Sequence, residues 1–309
     1  MENERFPFQL RSVNENRASN SLGPILEEIV FDGDMRRYEM KAKARDAADV
    51  FQHVERKGFT TANDPLELSG RTIQVWRLRT DVSHSAITKH SRILAPDELE
   101  RTERFRFDHA RNSFLVTRSA LRHLLGNYLQ AEPVAIKLIY GKNGKPVLPP
   151  ETPIQFNVAH SDGIAVLAFA LNCEIGVDVE RVRSFSGMAG VAARFFHPDE
   201  AARVNSVALD ERERTFFETW VRKEAYLKAT AEGLGAELQD FQIKSVAAFA
   251  DLRLERLGQH DRAWTFHDLQ LAPQYVGALA YRDRARDVQI SHLLTFAELE
   301  SLLAGRSLR

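Results

Sequence analysis

The chain has 309 residues, 44% of them hydrophobic, which is enough for a sizeable core and for about two domains or one large one. Its 42 Lys and Arg balance 43 Asp and Glu, leaving a net charge of −1, so the chain lacks the basic excess of a nucleic-acid or anionic-membrane binder and any phosphate-binding charge must be local. A single cysteine, Cys173, excludes an intramolecular disulfide, and the chain shows neither an apolar leader nor an apolar run longer than Ile164–Leu171; the expectation is a protein of the reducing cytoplasm, not exported and not membrane-bound.

Residues 1–70 read as a polar, partly ordered N-terminal extension, with Asn14, Asn16, Asn20 and Gly23 close together and one amphipathic helix predicted over 45–56, where Ala48, Phe51 and Val54 share a side. Beyond it the chain repeats itself at an offset of 102: among the identical pairs are Ile73/Ile175, Val75/Val177, Arg79/Arg181, Pro96/Pro198, Asp97/Asp199, Glu98/Glu200, Phe114/Phe216 and Leu125/Leu227. The first copy predicts a strand over 72–78, a helix opened by Pro96-Asp97-Glu98, and a longer helix carrying Phe114, Leu115, Ala120, Leu121, Leu124 and Leu125. Strands are predicted to follow over 134–140, 155–158 and 164–170. In the second copy the corresponding strands are predicted over 174–179, 241–246, 263–266 and 275–281. Turn residues such as Gly141-Lys142-Asn143-Gly144 between them suggest antiparallel sheets. The expected fold is α+β, two similar halves (71–171 and 172–309) forming a pseudo-dimer within a monomer, with a ligand cleft between them.

Within Gly176-Val177-Asp178-Val179-Glu180 the valines alternate with the carboxylates, so on a strand Asp178 and Glu180 project from one face. Two adjacent carboxylates repel; they are either solvated at a strand end beside Arg181 and Arg183, or placed to hold a hard divalent cation. Trp220, Glu224 and Lys228 recur every four residues on a predicted helix, as an ordinary surface ion pair or as a functional face. The repeat favours function. At the offset of 102, Asp178, Glu180, Glu224 and Lys228 align with Trp76, Leu78, Arg122 and Gly126, so only the second copy carries the acidic set. The first copy instead places Arg101, Arg118 and Arg122 on its helices. One half suits a metal and the other anions, as a molecule with several phosphates held between them requires.

These elements, with Gly144-Lys145-Pro146 ahead of Phe156-Asn157-Val158-Ala159-His160-Ser161 and with Lys223-Glu224-Ala225 inside the helix, resemble the surfactin-type 4′-phosphopantetheinyl transferases over residues 73–282. The resemblance implies a pseudo-dimeric α+β enzyme that moves phosphopantetheine from coenzyme A to a serine of an apo acyl or peptidyl carrier protein of fatty acid, polyketide or nonribosomal peptide biosynthesis, releasing 3′,5′-ADP. By matching position it implies Mg²⁺ on Asp178, Glu180 and Glu224, and Lys228 at the pyrophosphate and its leaving group. Glu224 or a metal-held water would take the serine proton, and Arg101, Arg118, Lys145 and His160 would hold the 3′-phosphate and nucleotide end. Trp220 is expected as a core or wall residue. Two positions depart from the family pattern: Ala159 stands where a serine precedes the histidine, and Ala231 where a glycine follows the helix. Two alternatives stay open, another Mg²⁺-dependent phosphotransferase, although the chain has no Walker loop or kinase signature, and a non-catalytic carrier-protein-binding relative.

Overall fold

The computed structural model describes residues 68–304 except 83–87, 89, 142–143, 232–237, 247–250, 257–258 and 285, together with residue 66 and three strands near the N-terminus. Those strands, β1 (Leu10–Val13), β2 (Ile25–Ile29) and β3 (Glu39–Ala42), form an antiparallel meander where the sequence suggested irregular chain. The helix expected over 45–56 lies outside the described residues.

The first copy of the repeat begins with β4 (Thr72–Arg79), followed by α1 (Pro96–Glu103) and α2 (Asp108–Leu129). The start of α1 is set by its Pro-Asp-Glu signal: the Glu98 Oε2 accepts the Ala95 N–H at 2.8 Å, satisfying a donor that the helix itself cannot. All six apolar residues expected on α2 are buried. The strand expected over 134–140 shrinks to β5 (Ile139–Tyr140), because Pro133 opens a 3₁₀ turn over Pro133–Ala135; β5 pairs with β6 (Pro146–Val147) as a short hairpin. Strands β7 (Ile154–Ser161) and β8 (Ile164–Leu171) complete this copy.

The second copy runs β9 (Ile175–Arg181), α3 (Met188–Phe195), α4 (Pro198–Ser206), α5 (Leu209–Thr230), β10 (Phe241–Val246), β11 (Asp251–Arg256), β12 (Gln259–Leu269) and β13 (Tyr275–Tyr281). Its sheet is ordered β10-β11-β12-β13-β9. The last elements, β14 (Asp287–Leu294) and α6 (Phe296–Ala304), leave it. β14 pairs in parallel with β4, giving the first sheet the order β14-β4-β8-β7. Phe296, Leu299 and Leu303 of α6 enter the first copy's core. Residues 287–304, expected with the second half, are thus built into the first, where they cover the edge that β4 would otherwise present.

Alternation along the strands separates an outer core from a middle one. Trp76, Leu78, Leu167 and Phe169 face α2, while Ile73, Val75, Val166 and Ala168 face a middle core shared with Ile175, Val177, Val179 and Leu279 of the second copy. Being buried on both faces, β8 reads as an unbroken apolar run. On β9, Val177 and Val179 take the middle core, which turns Gly176, Asp178 and Glu180 to the other face, toward α5. The helix lies so close there that a Cβ on Gly176 would fall 2.0 Å from the Ala225 carbonyl oxygen and 2.4 Å from the Ala229 nitrogen. The glycine therefore allows the approach that brings the α5 side chains onto the two carboxylates.

Candidate active site

Asp178 is 5% exposed and Glu224 8%, so both carboxylates lie under the α5–β9 contact. Lys228, one turn beyond Glu224, places its Nζ 2.6 Å from Asp178 Oδ1. The sequence left Glu224 and Lys228 as either a surface pair or a functional face; the structure turns the ammonium away from its helix neighbour and onto the strand. Glu180 accepts a 2.9 Å hydrogen bond from the Ser161 Oγ of β7.

The pseudo-symmetry shows how Glu224 became available. In the first copy Glu98 is buried against Arg122, at 2.7 Å. In the second its equivalent, Glu200, is instead 2.8 Å from Lys223, which also donates to the Leu238 and Phe241 carbonyls. Moving the structural cation back by one residue frees position 224, the equivalent of Arg122, for a carboxylate. Arg122 itself, counted in the sequence among the anion-binding arginines, is 1% exposed and donates to the Pro133 and Ile136 carbonyls besides Glu98. It is a structural residue.

Burial, followed by the charges of Asp178 and Glu180, pushes Glu224 up to about 8. Burial and then Asp178 push Glu180 up to about 7. Burial also raises Asp178, against the pull of Lys228. Burial alone would lower Lys228, but Asp178 and Glu224 outweigh it and raise its pKa. The site is an excess of buried negative charge that one ammonium only partly answers.

Two oxygens of this cluster, Asp178 Oδ2 and Glu224 Oε1, are buried without a hydrogen-bond partner, which is costly unless a cation answers them. Among the described residues no three acidic, His or Cys side chains form a ready-made metal cage. A cation that takes one or two carboxylates and completes its shell with water and substrate phosphates, as Mg²⁺ does, fits such a donor set.

The linkage follows from these shifts. Carboxyls whose pKa is raised in the folded state contribute stability below the unfolded value of about 4.3, and lose it as pH rises through about 7 and 8. Without divalent cations the melting temperature should fall between about pH 4.5 and about pH 8 and level off above that, and Glu224→Gln should flatten the slope. Thermal melts across that range check this; an unchanged slope in the variant would assign the effect to other groups.

The remaining residues expected at the site all belong to the first copy. Arg118, on α2, is 7% exposed; its Nε is 3.5 Å from Glu98 Oε1, while its NH1 is buried without a hydrogen-bond partner. Arg101 and Arg118 flank the same Phe114 ring, at 5.1 and 5.3 Å. His160, at the end of β7, is exposed. Desolvation by the protein packed around the ring, although the residue as a whole stays exposed, and then the charges of Lys228, Arg101 and Arg118 push it down to about 4; the three cations, drawn from both copies, act on one imidazole. Lys145 is less free than expected. Its Nζ donates to the Lys228 carbonyl at 2.6 Å and the Ile175 carbonyl at 3.3 Å, tying the β5–β6 hairpin to the last turn of α5. Burial pushes it down to about 8, and two of its three donors are engaged. Trp220 is a core residue, stacked on Phe216 at 6.3 Å. The contact made by Ser161 was not anticipated, although its motif was visible.

The family model of the 4′-phosphopantetheinyl transferase superfamily matches residues 174–280, and that of the 4′-phosphopantetheinyl transferase N-terminal region matches residues 80–172. The 4′-phosphopantetheinyl transferase HetI of Nostoc sp. is 36% identical over 181 residues, covering 58% of this chain and 76% of that one. A phosphopantetheinyl transferase of Thraustochytrium sp. is 29% identical over 234 residues (70% and 80%). The human L-aminoadipate-semialdehyde dehydrogenase-phosphopantetheinyl transferase is 28% identical over 211 residues (62% and 68%).

Proposed function

The chain belongs to the 4′-phosphopantetheinyl transferase superfamily, and we propose that it transfers phosphopantetheine from coenzyme A to a carrier-protein serine by means of the acidic cluster and the basic wall just described. The observation that carries this reading is the cluster itself, in which buried, partnerless oxygens of Asp178 and Glu224 lie beside the Lys228 ammonium. Asp178, Glu180 and Glu224 would hold Mg²⁺ between them, one or two by direct bonds and the rest through its water, and the cation when bound supplies charge neutralisation at the pyrophosphate.

The chain's own residues supply the rest. Arg101, Arg118 and His160 bind the 3′-phosphate, and Lys145 assists with its remaining donor while anchoring the end of α5. The serine oxygen attacks the phosphorus that carries pantetheine, and the bond to the 3′,5′-ADP oxygen breaks. Glu224 in its carboxylate form accepts the serine proton, directly or through water, and Lys228 neutralises charge growing on the leaving oxygen. Among the described residues no helix is long and apolar enough to cross a membrane, and the one cysteine, Cys173, is free and buried. Cytoplasmic placement is part of the same reading.

Intact-mass measurement of apo carrier proteins incubated with this protein, coenzyme A and Mg²⁺ tests the function. The expected result is a gain of one phosphopantetheine on the serine. No gain on acyl and peptidyl carriers alike would return the chain to a carrier-binding role. Arg118→Ala should weaken coenzyme A by about tenfold or more and 3′-dephospho-coenzyme A much less, since each charge-assisted contact contributes about 1.5–3 kcal/mol. Equal losses on both donors would remove Arg118 from the 3′-phosphate.

A further inference from the structure

Two residues of the Phe156 to Ser161 motif, Asn157 and Ser161, take no part in the steps above, and both reach across the seam between the copies. β7 is the edge of the first sheet and β9 the edge of the second; no main-chain ladder joins them among the described residues. Side chains stand in for it. The Asn157 Oδ1 accepts the Val177 N–H at 2.8 Å, and the Ser161 Oγ accepts the Arg181 N–H at 3.3 Å. The contacts are four residues apart on each strand, with partners separated by 20 positions in both cases. The two edges therefore run side by side in one direction, in a register that these side chains fix. Ser161 Oγ also donates to Glu180 Oε2 at 2.9 Å.

We propose that Asn157 and Ser161 are positioning residues for the transfer, an inference that rests on the function proposed above. Asn157 fixes β9 one residue before Asp178, and Ser161 aims the Glu180 carboxylate. Together they hold the acidic set of one copy at a fixed place relative to His160 of the other. A carboxylate with its rotamer already fixed loses less freedom on binding a cation, and removing such a supporting hydrogen bond typically costs about 10–100-fold in metal affinity or activity.

Mn²⁺ binding in the presence of coenzyme A, followed by electron paramagnetic resonance, separates positioning from mere stability. Ser161→Ala should weaken Mn²⁺ by about tenfold, with a parallel rise in the Mg²⁺ needed for half-maximal turnover. Coenzyme A binding measured without metal should be unchanged, and Ser161→Thr, which keeps the hydroxyl, should restore most of the loss. Asn157→Ala strands the buried Val177 N–H, so it should lower both the melting temperature and Mn²⁺ affinity. Parental Mn²⁺ affinity in Ser161→Ala would overturn the proposal, and so would a lowered melting temperature as the only change in both variants. A parent protein that bound Mn²⁺ and coenzyme A but modified no carrier would count against the function and not against the positioning.

Discussion

Lys228→Ala should lower kcat by about a hundredfold or more while changing KM for coenzyme A little. The Lys228 ammonium is held by Asp178 at 2.6 Å, and the surrounding carboxylates keep it charged. It is already in place when negative charge develops on the leaving pyrophosphate oxygen, so its contribution belongs to the transition state. Removing it has a second effect that a structural ion pair would share only in part. Asp178, Glu180 and Glu224 lose the one cation that lowers all three. Their pKa values rise further, and the acid limb of the pH–rate profile should move to higher pH. Mg²⁺ affinity measured above that limb should hold or improve, because the ammonium competes with the cation for Asp178. Steady-state kinetics against coenzyme A, Mg²⁺ and pH check all three expectations. Parental kcat in a folded variant would leave Lys228 as a buried pair and nothing more.

The parts legible in the sequence are those that repeat or alternate. The offset of 102 located β4 against β9, α1 against α4 and α2 against α5, because the Pro-Asp-Glu helix starts and the apolar periodicity are local signals. The valine alternation around Asp178 correctly put both carboxylates on one face, and the asymmetry between copies pointed to the second as the acidic one. Contacts between distant segments were not legible. The pairing of β14 with β4 joins residues 215 positions apart, as in Gln74 with Gln289, and nothing in the composition of residues 287–294 says which edge they cover. The close approach at Gly176 and the engagement of Lys145 with two carbonyls arise from how α5 packs, not from either local motif. Arg122 misled for the same reason. On a predicted helix it resembles Arg118, and only the buried Glu98 and the two carbonyls around it show that its donors are already used.

Asp178→Asn should reduce transfer by about a thousandfold or more and leave the fold intact, and the physical reason for the second half of that statement is as important as the first. A buried carboxylate is usually dangerous to remove, because its partner is left stranded. Here the partner has alternatives, since Glu224 and Glu180 also act on Lys228. The substitution also relieves repulsion that raises both of those groups. The melting temperature without metal should therefore hold or rise, and rise most at higher pH, where the parent carries the full cost of ionised neighbours. Mg²⁺ with coenzyme A should stabilise the parent strongly and the variant weakly, because ligand binding to the folded state raises stability by mass action only where the site remains. Loss of transfer together with retained melting temperature and lost Mg²⁺ response places Asp178 at the metal. A folded Asp178→Asn protein with near-parental turnover would mean that the buried charge has a different use, and the acidic cluster would no longer support the mechanism.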